Sequence, residues 1–479
     1  MKKSKITLIV PPVEVQYTKF LTKSNLLLHV KKYPALGLGY IAAVLEKNGY
    51  PIQYIDMYGE EMNYKTLQAE MKKAPPDFVG ITCDITTLIP ARKVARIIHK
   101  LNPKCKIIVG GAQINIYPYE TVQHKEFDVG VIGEGEYTML ELISKLEKNE
   151  ELDNVKGIIF KKDNKLIKTS PRPIIENLDK LPFPARHLMP ITQYCSDLNK
   201  TRLFTTILSS RGCPFNCLFC LKNDPWRGRS PKKVVDELEL IKNDLGIQEF
   251  YFIDLTMTVK KDRVIEICKE IIRRKLEIIW EIQTRVDCID KRLLNWLKRA
   301  GCTRIRFGVE SGDPRILKIL RKKFSTHQIE QAISWTKKAG LEVIAFFIIG
   351  CPGDTLQSIN RTIDFAKKLN PDFAFFGIAI PTPGTDMLNL AIEQGIVPRE
   401  IWTKFVKGKT TEIPIPRFET KEFDSEKLYK LLRKAYLSFY FRPKYFLKRL
   451  RKIKSFSELR NHMKGFRNLL LEVFSSYFM

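Results

Sequence analysis

At 479 residues and 55.6 kDa the chain is too long for one ordinary domain and long enough for two or three, each with its own core. Hydrophobic residues make up 44% and mean hydropathy is only slightly negative, which excludes a disordered chain; no run of about 18 apolar residues marks a membrane span. The net charge of +28 favours anionic partners without choosing among phosphates, nucleic acid and an acidic membrane surface, and its plain reading is a lysine-rich solvated face. The opening MKKSKITLIVPPVEV turns polar too soon for a signal peptide, so a cytoplasmic location is expected.

Residues 1–150 alternate short apolar strands with helical patterns, the mark of βαβ units around a parallel sheet. Ile6 to Val10, Ile52 to Ile55, Phe78 to Ile81, Ile107 to Val109 and Val129 to Ile132 read as strands, with helices at Leu38 to Asn48, Leu88 to Lys100 and Glu136 to Lys148. A doubly wound, Rossmann-like sheet binds its ligand beyond the carboxyl ends of its strands. Those ends carry Pro11-Pro12, Thr82-Cys83-Asp84, Gly110-Gly111-Ala112 and Gly133-Glu134-Gly135-Glu136.

Residues 151–198, with charged turns and Leu181-Pro182-Phe183-Pro184, read as a linker. A second α/β series fills 199–420, each strand ending in residues able to serve chemistry: the cysteine loop, Asp254, Thr284-Arg285, Glu310-Ser311, Gly350 and Pro381. Polar residues gathered at the carboxyl ends of parallel strands are what a TIM-type barrel presents to substrate. Residues 421–479 are basic and helical. The stripe Phe456, Leu459, Met463, Phe466, Leu470, Val473 is amphipathic, and Tyr440 to Arg449 mixes aromatic with cationic side chains; membrane-surface contact and packing on the barrel both suit that pattern.

Of ten cysteines, Cys83, Cys105, Cys195, Cys268, Cys288, Cys302 and Cys351 stand singly among apolar neighbours as small buried hydrophobes. Cys213, Cys217 and Cys220 cluster within eight residues. Fe–S clusters are normally held by four thiolates, so three leave one iron of a 4Fe–4S cube open to an outside ligand. Zinc is the competing ion, but it wants a fourth protein ligand; no His lies in the loop, and the nearest, His187, is on the linker.

The Cys213-x-x-x-Cys217-x-Phe219-Cys220 pattern resembles that of the radical S-adenosylmethionine (SAM) superfamily. Asp254 after the second strand, Thr284 to Asp287 after the third, Gly308 to Gly312 (Gly-Val-Glu-Ser-Gly) after the fourth and Gly350 to Thr355 after the fifth extend the likeness. The resemblance implies a partial TIM barrel whose open iron is chelated by SAM, and one-electron cleavage of SAM to a 5′-deoxyadenosyl radical. It also implies Phe219, Asp254, Arg285, Glu310 and Ser311 as SAM-binding residues. For Asp313-Pro314 the plain reading is a helix cap with Pro at its first position.

The first domain resembles the cobalamin-binding domain that precedes many such enzymes, on Gly37-Leu38-Gly39-Tyr40-Ile41, Val109 to Ala112 and Gly133 to Glu136. That likeness implies Pro11, Gly37, Thr82, Gly110, Gly111, Gly133, Glu134 and Gly135 as corrinoid contacts. The Asp-x-His-x-x-Gly cobalt-ligating pattern is absent, since the loop from Pro11 to Leu36 holds only His29, so cobalamin without a histidine ligand is expected. A loop of that length is itself a functional candidate. The chain then reads as an enzyme modifying an unactivated carbon by methyl transfer, rearrangement or ring formation. Its expected partners are a small-molecule, lipid or tetrapyrrole substrate and an electron donor such as ferredoxin or flavodoxin, with peripheral contact to the inner membrane face a further expectation and nucleic acid disfavoured. A tRNA methylthiotransferase and a non-catalytic corrinoid- or metal-binding protein are the alternatives.

Overall fold

The structure, a computed structural model, describes residues 3–13, 33–194, 203–221, 224–443 and 445. His29, Cys195 and the stripe from Phe456 to Val473 lie outside the described residues, as do Lys444 and Phe446 to Arg449. The chain divides into two compact units, the first made of residues 1–22, 30–196 and 400–414, the second of the remainder.

In the first unit β1 (Ile6–Val10), β2 (Ile52–Asp56), β3 (Phe78–Thr82), β4 (Lys106–Gly110) and β5 (Val129–Val131) run parallel in the order 2-1-3-4-5. Ile6 stands opposite Ile52 on one side and Phe78 on the other, so the winding reverses at β1. Ligands of such sheets sit at that switch point, outside the strands' carboxyl ends. Both faces are covered, which is why the strands read as continuous apolar runs. Helix α1 (Leu36–Lys47) lies on one face, its Leu38, Ala42 and Leu45 packing with Ile6, Leu8 and Ile108. Helix α2 (Tyr64–Lys73), not anticipated from the sequence, and α3 (Leu88–Leu101) cover the other, with Leu88, Ala91, Val94, Ala95 and Ile98 of α3 recurring at three and four. Helix α4 (Glu136–Glu147) rejoins α1, adding Met139, Leu142 and Ile143.

Two regions depart from the sequence reading. Within the expected linker, β6 (Ile158–Lys162) and β7 (Lys165–Lys168) form a hairpin that extends the sheet from β5. Its two turn residues, Asp163 and Asn164, have φ of 49° and 60°, the left-handed pair a tight hairpin needs and that Asp and Asn tolerate. Residues 400–414, expected in the barrel, belong to the first unit: Phe405 and Val406 of the helix Ile401–Val406 share a core with Ile114 and Val122. His124 Nε2 lies 2.7 Å from the Val406 carbonyl.

The second unit opens with β8 (Phe204–Ile207). The short antiparallel pair β9 (Ser210–Arg211) and β10 (Arg227–Gly228) brackets the cysteine loop. Then α5 (Pro231–Leu245), β11 (Glu249–Phe252), α6 (Lys261–Arg273), β12 (Ile279–Thr284), α7 (Lys291–Arg299), β13 (Cys302–Glu310), α8 (Thr326–Lys338), β14 (Glu342–Ile349), α9 (Leu356–Leu369) and β15 (Phe373–Ile378) alternate. Six strands pair in parallel in the order 8-11-12-13-14-15, an open partial barrel. Caps set the helix starts: Ser230 before Pro231, Asp290, and capping boxes at Ser325/Gln328 and Thr355/Ser358, each worth about 1 kcal/mol. On the sheet face away from the helices, Arg304 pairs with Glu281 (3.1 Å) and Glu342 (2.8 Å), and Arg306 with Glu281. Burial works against ionising Glu281, but the two guanidinium groups outweigh it and hold its carboxyl below the usual range.

β15 is an edge of this sheet, and α10 (Ser425–Tyr440) lies along it. The Tyr436 hydroxyl accepts from Phe376 N–H (3.1 Å) and donates to Phe376 C=O (2.9 Å); Tyr440 does the same at Ala374. Tyr445 donates to the Asp372 carbonyl, and Arg442 to the carbonyls of Phe439 and Lys367. The start of the aromatic and cationic run offered above as a membrane surface is thus engaged with the barrel, Phe441 standing 41% exposed. Among the described residues no helix is long and apolar enough to cross a membrane.

Candidate active site

The cysteine loop leaves β8 where two serines are clasped. Asp254, just past β11 and fully buried, accepts from Ser209 N–H (3.0 Å), Ser209 Oγ (2.7 Å) and Ser210 Oγ. From the other side Arg263 donates to the Ser209 carbonyl and to the Arg229 carbonyl. Beyond this clasp the loop is held by its backbone: Leu218 N–H donates to Leu320 C=O (3.2 Å), Met387 N–H to Leu218 C=O (2.9 Å), and Cys213 N–H to Asp224 C=O (3.3 Å). A loop so tied holds its side chains in place without regular structure.

All three loop cysteines are free thiols, Cys213 half-buried, Cys217 8% exposed and Cys220 exposed. A hydrogen bond from Cys220 brings the Cys217 thiol down to about 6, with Lys322 and Arg285 adding cationic pull against burial; Cys220, the donor, is pushed up. These neighbours favour the thiolate at Cys217, the form that binds metal. Thr256 Oγ1 lies 3.8 Å from Cys213 Sγ. Among the described residues no three His, Cys, Asp or Glu side chains converge as a single metal ion requires. Three thiolates suit three irons of a cube, whereas a mononuclear zinc site wants a fourth protein ligand, and the loop offers no histidine.

Arg285 and Glu310 come to this loop from β12 and β13. Arg285 Nη1 lies 3.5 Å from Cys217 Sγ, and its fork is held by both oxygens of Asp287 (2.9 and 2.8 Å). Glu310 is presented by a break in register between Gly308 and Glu310 where β13 meets β14. The Ser311 N–H donates back to Val309 C=O, forming a three-residue turn around Glu310, whose φ is +67°. That conformation costs a non-glycine residue about 1–3 kcal/mol and persists where the surroundings impose it, characteristically at functional sites. Here Lys322 Nζ holds Glu310 Oε1 at 3.0 Å, and both side chains are over 90% buried. A Cβ on Gly308 would stand 2.3 Å from that carboxylate oxygen, so a side chain there would displace Glu310 from its place beside Lys322.

Phe219 completes the group, its ring 5.5 Å from Lys322 Nζ. Two expected SAM residues point elsewhere. Ser311 is buried, its hydroxyl 3.0 Å from Thr362 Oγ1 and accepting from Asp313 N–H, so it ties β13 to α9. Asp254 has its carboxylate engaged by the serine clasp. Asp313 caps the helix Pro314–Ile319, as its sequence suggested. The sequence reading missed Lys322, which sits in Arg321-Lys322-Lys323 and resembles ordinary surface charge; Arg321 and Lys323 both have φ near +60°, turning the middle side chain inward. It also missed Arg263, Phe215 and Phe324; the last two flank Arg285 with ring centroids 3.8 and 5.1 Å from its Cζ.

Beside these groups, on the face opposite the Phe376 side that meets α10, alternation sets Phe346 and Ile348 of β14 next to Phe375 and Gly377 of β15. Phe346 and Phe375 stack at 5.5 Å and are half-buried, and no described residue lies within 4 Å of where a Gly377 Cβ would be. This wall is apolar and open.

In the first unit, Pro11, Thr82, Gly110 and Gly133 stand at the carboxyl ends of β1, β3, β4 and β5, around the switch point. Gly133 has φ of +80°, and no described residue comes within 4 Å of where a Cβ on Gly133 or Gly37 would point. Gly111 and Gly135 differ: their added Cβ atoms would meet the Cys83 carbonyl at 2.7 Å and Ile41 Cδ1 at 2.8 Å, so close packing of the chain explains them. Glu134 is turned to the Ile175 N–H (2.6 Å). None of the described histidines follows the carboxyl end of a strand in this unit: His99 ends α3, His124 precedes β5 and His187 pairs with Glu46. Glycine at Gly37 and Gly133, beside the switch point, lets the backbone approach a bulky ligand closely.

Residues 207–366 match the Radical SAM superfamily, and residues 29–143 the B12 binding domain. A methyltransferase of Pyrococcus horikoshii, described as uncharacterized, is 36% identical over 453 residues, 94% of this chain and 95% of its own. The anaerobic magnesium-protoporphyrin IX monomethyl ester cyclase of Rubrivivax gelatinosus is 29% identical over 367 residues, 74% of this chain and 66% of its own. Among solved structures, the cobalamin-dependent S-adenosylmethionine radical enzyme OxsB, with aqua-cobalamin and S-adenosylmethionine bound, has a TM-score of 0.69 over 99% of this chain and 72% of that chain; at 18% identity the likeness is one of fold. The chain belongs to the radical SAM superfamily, in its branch with a B12-binding domain ahead of the barrel. It is an enzyme of the cobalamin-dependent methyltransferase or cyclase type, whose cofactors are a 4Fe–4S cluster, SAM and cobalamin. The methylthiotransferase and non-catalytic alternatives are not favoured.

Proposed function

We propose that the protein transfers a methyl group to an unactivated carbon of a small, largely apolar molecule, of which tetrapyrroles and isoprenoid lipids are examples. In this reading Cys213, Cys217 and Cys220 hold the cluster, Phe219, Glu310 and Lys322 meet SAM, and Pro11, Gly37, Thr82, Gly110 and Gly133 border the corrinoid. The observation that carries it is the buried Glu310–Lys322 pair, one anion and one cation set beside the loop of three cysteines. SAM carries an ammonium and a carboxylate that such a pair can exchange for. When bound, the cluster and SAM supply one-electron cleavage, and cobalamin a methyl carrier. The chain's own part is to fix the thiols, orient SAM and keep water out, and the Phe346, Ile348 and Phe375 wall serves the last.

Methyl transfer is preferred to ring closure because the relative that covers nearly the whole of both chains is named a methyltransferase. Ring closure is the second reading, supported by the cyclase relative. Protein reconstituted without oxygen with iron, sulfide and hydroxocobalamin, then given SAM labelled in its methyl group and reduced flavodoxin, separates them. Incubated with an extract containing the substrate, a methyltransferase forms both S-adenosylhomocysteine and 5′-deoxyadenosine and a labelled product. Deoxyadenosine alone with an unlabelled product would support ring closure, and neither nucleoside would overturn both.

A further inference from the structure

An iron–sulfur cluster shares its charge with the sulfur of its ligands, so hydrogen bonds to that sulfur bear on its reduction potential. Arg285 is placed to make one. The side chain is 5% exposed at the end of β12, and each of its three nitrogens faces a partner. Nε and Nη2 meet the two oxygens of Asp287, Nη2 also donates to the Lys322 carbonyl, and Nη1 faces Cys217 Sγ at 3.5 Å. Phe215, two residues from Cys217, lies against the guanidinium face at 3.8 Å, with Phe324 at 5.1 Å on the same cation. One group therefore joins β12, the cysteine loop and the turn that carries Lys322.

We infer that Arg285 is a positioning residue for the cluster, holding Cys217 in place and donating a hydrogen bond to its sulfur, rather than a ligand of SAM. The inference rests on the proposed reading of the three cysteines as cluster ligands. Its consequence concerns the step in which the oxidised cluster takes one electron from dithionite or flavodoxin, adding one negative charge beside Cys217. A cation bonded to that sulfur favours the reduced cluster. Lysine keeps the charge but not the planar fork, so it cannot hold Asp287, the Lys322 carbonyl and the sulfur together.

The test uses the full chain reconstituted without oxygen. Iron and sulfide content is measured first, then the midpoint potential by spin-resonance-monitored titration, then SAM binding by equilibrium dialysis. Arg285→Gln is expected to lower the reduced fraction at fixed potential about tenfold, a midpoint about 59 mV more negative for one electron. Arg285→Lys should fall between Arg285→Gln and wild type, with SAM affinity within about threefold of wild type in both, because Asp287, the Lys322 carbonyl and Cys217 already take four of the five guanidinium N–H donors. An unchanged midpoint with SAM affinity reduced more than about tenfold would overturn the inference and make Arg285 a SAM ligand. If Arg285→Gln does not fold or load iron, Asp287→Asn and Phe215→Leu loosen the same side chain while keeping it; wild-type midpoints in both overturn the inference. Wild-type protein that assembles no cluster instead overturns the proposed function, a separate outcome.

Discussion

Replacing Asp254 by asparagine should weaken the second unit and cluster loading without a matching loss of SAM affinity in the protein that does load. The carboxylate is fully buried and accepts three hydrogen bonds, one from a backbone N–H and two from serine hydroxyls. Bonds to a charged acceptor contribute about 1.5–3 kcal/mol each. Asparagine keeps the shape but has one acceptor oxygen. Whichever way the amide points, either its NH2 faces the Ser209 N–H or both hydroxyls lose a carboxylate oxygen. One such bond lost, with a donor left facing a donor, puts the cost at about 2–4 kcal/mol, a large share of a domain's usual 5–15. Urea unfolding followed by circular dichroism, fitted for the second unit's transition, reads the energy, and iron per chain reads the loop that Ser209 and Ser210 lead into. A cost under about 0.5 kcal/mol with normal iron content and lost SAM binding would refute the clasp and return the carboxylate to the cofactor.

Gly308→Ala should push Glu310 off Lys322, because the new methyl would stand 2.3 Å from Glu310 Oε1; SAM affinity by dialysis should fall about tenfold or more while iron content stays near wild type. Gly377→Phe should fill the open wall of the barrel and stop product formation, leaving substrate-independent deoxyadenosine release in place, as nucleoside chromatography would show. Asp354 is raised to about 6 by burial, against hydrogen bonds from Ser358 and the Cys351 N–H. Since its folded value lies above the ordinary 3.8, its contribution is fully present below pH 4 and lost as pH rises through 6. Asp354→Asn should therefore flatten that part of the melting-temperature profile between pH 4 and 7, measured by calorimetry.

The fold was legible because its strands are short apolar runs and its helices carry stripes at three and four, and the sheets bury both. α3 shows this in Leu88, Ala91, Val94, Ala95 and Ile98. The three cysteines stand out by their spacing alone. What stayed hidden depends on distances the sequence does not encode. Lys322 looks like its exposed neighbours, and only the left-handed residues on either side send it inward. Asp254 and Ser311 have the right chemistry for a cofactor, yet the structure uses them on Ser209 and Thr362. The Asp163-Asn164 pair is a readable hairpin signal, masked in the sequence by the charged turns around it. Residues 400–414 could not be placed by order along the chain, since they return to a core whose members Ile114 and Val122 lie some 280 residues earlier.

The two phenols on α10 stand in for a missing seventh strand. Each neutralises an amide and a carbonyl on the rim of β15, four main-chain groups satisfied by two side chains one helical turn apart. A chain cut before Ser425 would bare that rim, and an uncovered rim is a template on which a second copy can lay its own strand. Truncation there would thus convert a monomer-compatible border into an adhesive one, so α10 protects the solubility of the barrel as much as its shape.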